Sequence, residues 1–290
     1  IAAGVWSPIS AATYPAEVGG NPVFRPVTAY LGAALPDAKL PLVIVSHGSG
    51  SSMDGTAWLG AGLAARGAMV VVLNHPGTTS GDSSPRRTVR LAERAADLGA
   101  ALDHLLDDPY FAARIDLAQV SAVGFSLGGS AVLGLAGQRL DADAYAAYCG
   151  AHGDTAQDCQ FLAKGGVDLS NLPAAFSADM TDDRFTRIVA VDPGFTYSAT
   201  RESLSAIDVP VQVMSLGDDF PWPTVDVRPQ GSGLVDAIPG ATHTVIANAH
   251  HFSFLPLCTP MAEALLIEEG EDPICTDPAG SDRATVHAAS

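Results

Sequence analysis

Short runs of consecutive apolar residues recur along the chain, and segments with helical spacing separate them. The runs are apolar at successive positions instead of alternate ones, which is typical of strands buried on both faces. The pattern predicts six such strands, at 42–46, 69–73, 120–124, 187–191, 211–214 and 244–246. A further edge strand is predicted at 23–30, within a first stretch of about 40 residues that is rich in Pro and Gly.

Helical spacing lies between several of these runs. The clearest helices are predicted at 56–66, 88–106 and 131–135. Apolar strands that alternate with helices indicate an α/β fold, in which a mostly parallel central sheet has helices on both faces.

Residues 140–183 interrupt this alternation because they have no sustained periodicity. They contain two of the four cysteines and the pair Gly165-Gly166. We interpret the segment as a lid- or cap-like insertion over the sheet, within a single domain that spans residues 1–290.

Composition narrows the class of protein. The chain has 290 residues, of which 47% are hydrophobic and 16% charged, so it is neither a disordered chain nor a coiled coil. Its 15 Lys and Arg against 32 Asp and Glu give a formal charge of −17, which argues against nucleic acid or an anionic membrane as a partner. No apolar run reaches the ~18 residues of a membrane span. The oligomeric state is left open.

The four cysteines form two local pairs, Cys149 with Cys159 and Cys258 with Cys275. Their spacing does not fit a metal site, and no metal or cofactor motif occurs elsewhere, so we expect neither. Two disulfides are predicted, each stabilising by about 3 kcal/mol through loop closure, although four separate buried thiols are the alternative. Disulfides indicate a secreted or periplasmic protein, with a signal peptide removed before Ile1.

The loops that follow the strands carry the candidate chemistry, because ligands of such sheets bind beyond the carboxyl ends of the strands. Residues 124–129 read Gly-Phe-Ser-Leu-Gly-Gly, follow a predicted strand and precede a helix-forming run. This fits G-x-S-x-G, in which a serine sits on a strained turn too crowded for side chains two residues to either side. Ser126 is therefore the predicted nucleophile; a Gly-rich packing turn is the alternative.

A serine nucleophile needs two N–H donors for the negative tetrahedral intermediate. The backbone of Leu127, directly after the nucleophile, is one candidate. The small residues of loop 46–50 suit the second, for which Ser49 is preferred and Gly48 comes next. We interpret His47 of this loop as a structural side chain.

The base should follow the last strand, where His250 and His251 are adjacent. We prefer His251, because Phe252 and Phe254 flank it as wall residues would. His250 is expected beside the base, and His250 and Phe252 are predicted to lie on the substrate-binding side.

The acid that orients the base has two candidate positions. Asp192 follows the strand at 187–191, whereas Asp218 and Asp219 follow the next one. Position alone does not separate them, since hydrolases of this kind use either strand end, and aspartates also occur in ordinary turns beside Pro or Gly.

Four segments together resemble the branch of α/β hydrolases that contains platelet-activating-factor acetylhydrolases and dienelactone-hydrolase-like proteins. They are residues 41–48 (PLVIVSHG), 124–129 (GFSLGG), 190–193 (AVDP) and 251–255 (HFSFL). The resemblance implies an α/β-hydrolase fold, favours Asp192 as the acid, and implies Ser49 and Leu127 as oxyanion donors. Dienelactone hydrolases have a cysteine nucleophile where this chain has Ser126, and the insertion at 140–183 departs from the acetylhydrolase pattern, so the substrate stays open.

These residues predict a serine hydrolase that cleaves a carboxylic ester through an acyl-enzyme on Ser126. One alternative is an amide hydrolase with the same residues, acting on an anionic peptide-like or polymeric substrate. Another is a binding protein that retains a hydrolase fold without activity. The substrate is expected to be a small-molecule or polymeric ester or amide.

A basic cluster follows the strand at 69–73 and bears on the substrate. Arg86, Arg87 and Arg90 are predicted to attract a carboxylate or phosphate near the scissile bond. The alternative is a solvated helix start whose arginines pair with Glu93 and Asp97.

Overall fold

A computed structural model of the protein describes residues 1–218 and 222–290. Seven strands form the central sheet, in the order β1-β5-β4-β8-β9-β10-β11. Their bounds are β1 Ala3–Trp6, β4 Leu40–Ser46, β5 Met69–Leu73, β8 Ile115–Phe125, β9 Arg187–Val191, β10 Val211–Leu216 and β11 Thr242–Ile246. Only β1 runs antiparallel to its neighbour in this sheet; each of the other pairs is parallel.

Two small antiparallel pairs lie outside the central sheet. One joins β2 (Tyr14–Val18) to β3 (Val27–Leu31), and the other joins β6 (Thr78–Thr79) to β7 (Asp82–Ser83). The helices are α1 Ala57–Ala65, α2 Pro85–Thr88, α3 Leu91–Asp107, α4 Pro109–Ala112, α5 Leu127–Leu135, α6 Ala142–His152, α7 Gln157–Lys164, α8 Arg201–Ser205, α9 Leu234–Ala237, α10 Ala262–Glu269 and α11 Arg283–Ala289. None of the helices in the described residues is long and apolar enough to cross a membrane.

Apolar side chains of the parallel strands pack on both faces of the sheet. In β4, Ile44 belongs to the cluster formed with α3 and α5, whereas the next residue, Val45, belongs to the cluster with α1 and α11. Because successive side chains of a strand point to opposite faces, a run without polar residues requires helices on both sides. The predicted α/β class, with a mostly parallel sheet between helices, is confirmed.

The predicted edge strand at 23–30 is wrong. The structure has β3 there instead, beginning only at Val27 and pairing with β2 outside the central sheet, and the edge of that sheet is β1. Pro26 explains the late start, because proline has no N–H to donate to a strand partner. The burial of β1 alternates between exposed and half-buried residues, which gives no continuous apolar run for recognition from sequence.

The segment predicted as an insertion contains two helices, α6 and α7, although its sequence lacks a helical period. Apolar residues occur on all sides of α6. Tyr145 packs against Phe176 in the main core, while several alanines of the same helix face outward. A disulfide joins Cys149 of α6 to Cys159 of α7. The second disulfide, Cys258–Cys275, lies near the C-terminus.

Candidate active site

Ser126 lies in a sharp turn between β8 and α5. Its backbone has φ 55° and ψ −118°, a conformation that strains any residue with a Cβ atom. The turn is possible because its neighbours are small: a Cβ on Gly124 would collide with the carbonyl of Gly128, and one on Gly128 with the carbonyl of Ser46. The glycines thus let the serine stand at the carboxyl edge of the sheet, half-buried beside a cleft.

His251 reaches this serine from the turn after β11. Its Nε2 atom lies 3.1 Å from Ser126 Oγ. The imidazole is 7% exposed and packs between two aromatic rings, with centroids 4.7 Å away at both Phe125 and Trp222. These flat apolar contacts fix the ring and leave its nitrogens for polar partners.

Asp192 lies on the other side of the imidazole, with Oδ2 3.0 Å from Nδ1 of His251. Its second carboxylate oxygen accepts the N–H of Leu216 at 2.9 Å, and the side chain is almost fully buried. A carboxylate can only accept, so Nδ1 of His251 carries the proton and Nε2 is left to accept from Ser126.

The other candidate acids lie elsewhere. Asp218 is exposed, and its carboxylate accepts the N–H of Asn248 at 3.4 Å instead of contacting the imidazole. Asp219 lies outside the described residues. Of the two candidate positions, only the one after β9, Asp192, places a carboxylate against His251 among the described residues.

The loop of residues 47–50 borders the serine. A Cβ built on Gly48 would lie 3.4 Å from Cβ of Ser126 and 3.1 Å from the ring of Phe125. Within residues 1–218 and 222–290, no acceptor meets the N–H of Ser49 or that of Leu127. Both N–H groups are therefore available to a ligand at this edge of the sheet.

His47 is buried within the same loop, in keeping with a structural side chain. Its Nδ1 lies 2.7 Å from the carbonyl of Gly48 and Nε2 lies 3.2 Å from the hydroxyl of Thr79. Burial, and then the positive charge of Arg94, lower the pKa of His47 to about 3. The ring is therefore neutral and donates from Nδ1.

A cleft of about 540 Å³ opens beside His251. Side chains from α7, from the turn around the base and from the C-terminal segment line it: Gln157, Gln160, Phe161, Lys164, Leu216, Trp222, His250, His251, Phe252, Asp272, Pro273 and Thr276. The predicted substrate-side residues His250 and Phe252 both lie in this wall. Helix α7, in the segment that was predicted to be an insertion, belongs to the same wall; its role as a lid stays a prediction.

Arg86 and Arg87 lie in a different cleft, of about 660 Å³, between α2 and residues 166–174. Arg87 pairs with Glu93 at 2.8 Å, as the helix-start alternative predicts, and Arg90 does the same. Asp97, the other expected partner, binds His75 instead. The predicted role of Arg86 and Arg87 in binding an anionic substrate stays a prediction.

Sequence reasoning missed the support behind the base. Asp277 accepts from the hydroxyl of Ser253 at 2.7 Å and from the guanidinium of Arg283 at 3.0 Å, and His250 Nε2 lies 2.6 Å from the carbonyl of Thr276. These contacts hold the turn that carries His251. No short-range pattern could indicate them, because each polar residue alone reads as an ordinary surface side chain.

Trp222 and α7 were also missed as wall elements. Thr224 attaches them to each other, since its hydroxyl lies 3.0 Å from the carboxylate of Asp158 in α7. Burial raises the pKa of Asp158, although bonds from Tyr145 and other donors oppose this. In the described part of the chain, no group of three or more His, Cys, Asp or Glu is placed to hold a metal ion.

Comparisons with known proteins establish the fold. No family model and no curated protein matches the sequence. Among solved structures, the chain is similar to a ferulic acid esterase from Streptomyces cinnamoneus, with a TM-score of 0.60 and 16% identity over 99% of this chain and 78% of that one. The protein has an α/β-hydrolase fold, as the sequence predicted; the acetylhydrolase and dienelactone-hydrolase branch stays a prediction.

Proposed function

We propose that the protein is a serine esterase that hydrolyses carboxylic esters through an acyl-enzyme on Ser126. The observation that carries this proposal is the hydrogen-bonded series Asp192–His251–Ser126, with distances of 3.0 and 3.1 Å, at the edge of an open cleft. The order Ser, Asp, His along the chain is the order of α/β hydrolases.

In the acylation step, Ser126 Oγ attacks the ester carbonyl carbon while Nε2 of His251 takes the hydroxyl proton. The carbonyl oxygen becomes negative and accepts hydrogen bonds from the N–H groups of Leu127 and Ser49. His251 then returns the proton to the leaving alkoxide, the C–O bond breaks and the alcohol departs. Asp192 keeps the imidazole in the tautomer that accepts from serine and stabilises its charged form.

In the deacylation step, water takes the place of the alcohol. His251 accepts a proton from the water as its oxygen attacks the acyl carbon, and the same two N–H groups bind the second oxyanion. The bond to Ser126 Oγ breaks, the serine recovers its proton from His251, and the free acid is released.

The cleft beside His251 suits an apolar or aromatic group of the substrate. Phe161, Trp222 and Phe252 present rings to it, and those of Trp222 and Phe252 meet edge to face with centroids 5.2 Å apart. The fold neighbour is a ferulic acid esterase, which makes aromatic acyl esters a rational class to test. We assign α7 the role of a cap over this group, and the two disulfides fit a secreted or periplasmic site of action.

The test uses p-nitrophenyl acetate, p-nitrophenyl butyrate and methyl ferulate, together with a fluorophosphonate that labels activated serines. We expect a burst of p-nitrophenol and one label per chain in the wild-type protein, and the loss of both in Ser126→Ala. Ser205→Ala, an exposed serine in α8, is the matched control and should behave as wild type.

Steady ester hydrolysis retained by Ser126→Ala would exclude the acyl-enzyme on that residue. A wild-type protein that binds esters without cleaving them would instead support the binding-protein alternative. A matched anilide decides between ester and amide hydrolysis: we expect it to react at least about 1,000-fold more slowly than the ester, a difference of ~4 kcal/mol in barrier height.

A further inference from the structure

A buried polar network lies beneath the loop of residues 47–50. Helix α3 contributes Arg94 and Asp97, while Ser46 ends β4 and His75 follows β5. Arg94 is 2% exposed, and Ser46 and His75 are fully buried. A guanidinium is costly to bury unless its N–H groups are bonded. Both terminal nitrogens of Arg94 have partners, whereas Nε has none among the described residues, so the partners of the terminal nitrogens indicate what the network does.

Hydrogen bonds run through this network in one direction. Nη2 of Arg94 donates to Ser46 Oγ at 3.1 Å, the Ser46 hydroxyl donates to Nε2 of His75 at 3.0 Å, and Nδ1 of His75 donates to Asp97 at 2.9 Å. Burial, followed by the charge of Arg94, holds the pKa of His75 well below its usual value, so the ring is neutral and can accept at Nε2. Nη1 of Arg94 donates to Thr78 at 2.6 Å.

The network reaches the loop through two peptide carbonyls. Nη2 of Arg94 also donates to the carbonyl of His47, and the imidazole of His47 donates to the carbonyl of Gly48. A peptide unit is planar, so a fixed carbonyl fixes the direction of the next N–H. The bond from Arg94 thereby holds the peptide that carries the N–H of Gly48. The peptide that carries the N–H of Ser49 is held at the Gly48 carbonyl by His47, at 2.7 Å, and by the N–H of Ser51, at 3.3 Å.

We propose that Arg94 and His47 are positioning residues that hold two consecutive peptides of loop 47–50, so that the oxyanion-binding N–H of Ser49 faces Ser126, with His75 and Asp97 anchoring Arg94 from behind. This inference rests on the proposed esterase function. Without Arg94 the peptide between His47 and Gly48 could rotate and present its carbonyl oxygen, which repels the developing negative charge. Without His47 the next peptide would be held only by the longer bond from Ser51. Preorganised donors are effective because they need no rearrangement during the reaction.

Arg94→Lys tests the inference because lysine keeps the charge but lacks the fork in which one nitrogen bonds Thr78 while the other bonds both Ser46 and the His47 carbonyl. We expect kcat for p-nitrophenyl butyrate to fall about 100-fold with KM within about threefold, as when one oxyanion donor is lost. The affinity for a trifluoromethyl ketone, which forms an oxyanion on Ser126, should fall by the same factor. A role in folding alone would not move these two quantities together.

Two further variants complete the design. Asp97→Asn preserves the shape of the side chain, and we expect a smaller loss of about 5- to 10-fold in kcat and in ketone affinity, because the anchor is weakened and not removed. Arg139→Lys, in a surface ion pair with Asp179, is the matched control and should leave both unchanged. Thermal unfolding identifies any variant that does not fold. If Arg94→Lys does not fold, the kinetics and ketone affinity of Asp97→Asn test the inference in its place.

The inference is overturned if folded Arg94→Lys keeps the kcat and ketone affinity of the wild type. If Arg94→Lys does not fold, the same result in Asp97→Asn overturns it, and the network is then purely structural. Failure of the proposed function is visible separately, because the wild-type protein itself would then neither hydrolyse the ester nor bind the ketone.

Discussion

Two hydrogen-bonded Ser–His–Asp series in the molecule have nearly equal hydrogen-bond distances but differ in their surroundings. Ser126–His251–Asp192 has distances of 3.1 and 3.0 Å, and Ser46–His75–Asp97 has 3.0 and 2.9 Å. We refer to them as the edge series and the buried series. Three residue types at correct distances are thus not sufficient to define a reactive site.

Access and charge separate the two. Ser126 is half-buried and bonded to His251, which lines a cleft, whereas Ser46 is fully buried and accepts a hydrogen bond from Arg94. A base must also tolerate a positive charge when it takes a proton. Each imidazole binds a carboxylate. The imidazole of the edge series otherwise meets neutral aromatic rings, whereas complete burial and the nearby guanidinium of Arg94 lower the pKa of His75 in the buried series and so disfavour its protonation. The buried series can therefore orient groups but cannot activate a serine.

The largest difference is expected from removing each base. His251→Ala should lower kcat/KM for p-nitrophenyl butyrate by about 10⁴- to 10⁶-fold, and it should also lower the free energy of unfolding because the buried Asp192 loses its partner. His75→Ala should reduce activity by less than about 100-fold but lower the free energy of unfolding by roughly 2–4 kcal/mol, because Ser46 and Asp97 lose a buried partner. Kinetics and urea unfolding measure both. Equal kinetic losses in two folded variants would erase the distinction between the series.

The second-largest difference in kcat is expected between variants of the candidate acids. Asp192→Asn should lower kcat by about 10⁴-fold, since an amide can donate and so favours the wrong imidazole tautomer. Asp218→Asn, at the other candidate strand end, should stay within about twofold of wild type and is the matched control. Reversed outcomes would move the acid to Asp218. Asp97→Asn should fall between these two variants.

Substitutions of the two serines should change the free energy of unfolding in opposite directions. Ser46→Ala should lower the free energy of unfolding by about 1–3 kcal/mol, because it leaves donors of Arg94 and an acceptor of His75 unpaired. Ser126→Gly should raise it by about 1 kcal/mol, because glycine adopts the positive φ of that turn without strain. Chemical denaturation of both variants checks this, and a destabilised Ser126→Gly would show that the turn is not strained.

The smallest expected effect is a pH dependence of the buried series. Burial, opposed by Arg94, raises the pKa of Asp97 from 3.8 to about 6. A carboxyl group with a raised pKa in the folded state stabilises most below its unfolded pKa, and that stability is lost as pH rises through about 6. Between about pH 4 and pH 8, the wild-type protein should therefore lose more unfolding free energy than Asp97→Asn. Parallel curves from urea titrations would contradict the raised pKa.

The central sheet was predictable because each parallel strand is a continuous apolar run, a signal that depends only on neighbouring residues. Strand β1 and the hairpin of β2 and β3 were not, since their burial alternates irregularly and their pairing is decided by contacts distant in sequence. Helix α6 was missed for the opposite reason: apolar residues on all sides hide its period.

The site divides in the same way. Ser126 could be predicted from a local motif whose glycines have a steric cause, and His251 from its place after the last strand. The choice between Asp192 and Asp218 could not be made from position, because it depends on which strand end faces the imidazole. Trp222 was missed because it lies far along the chain from the residues that it contacts.

The contacts behind His251 make the position of this residue depend on side chains that follow it in the chain. Asp277 and Arg283 brace the turn of the base from positions near the end of the chain, beyond the second disulfide. A polypeptide that stops before Asp277 contains Ser126, the loop of residues 47–50 and His251, but it lacks the contacts that hold the turn of the imidazole. The position of the imidazole consequently depends on the folding of a segment that follows it in the chain, next to the disulfide Cys258–Cys275.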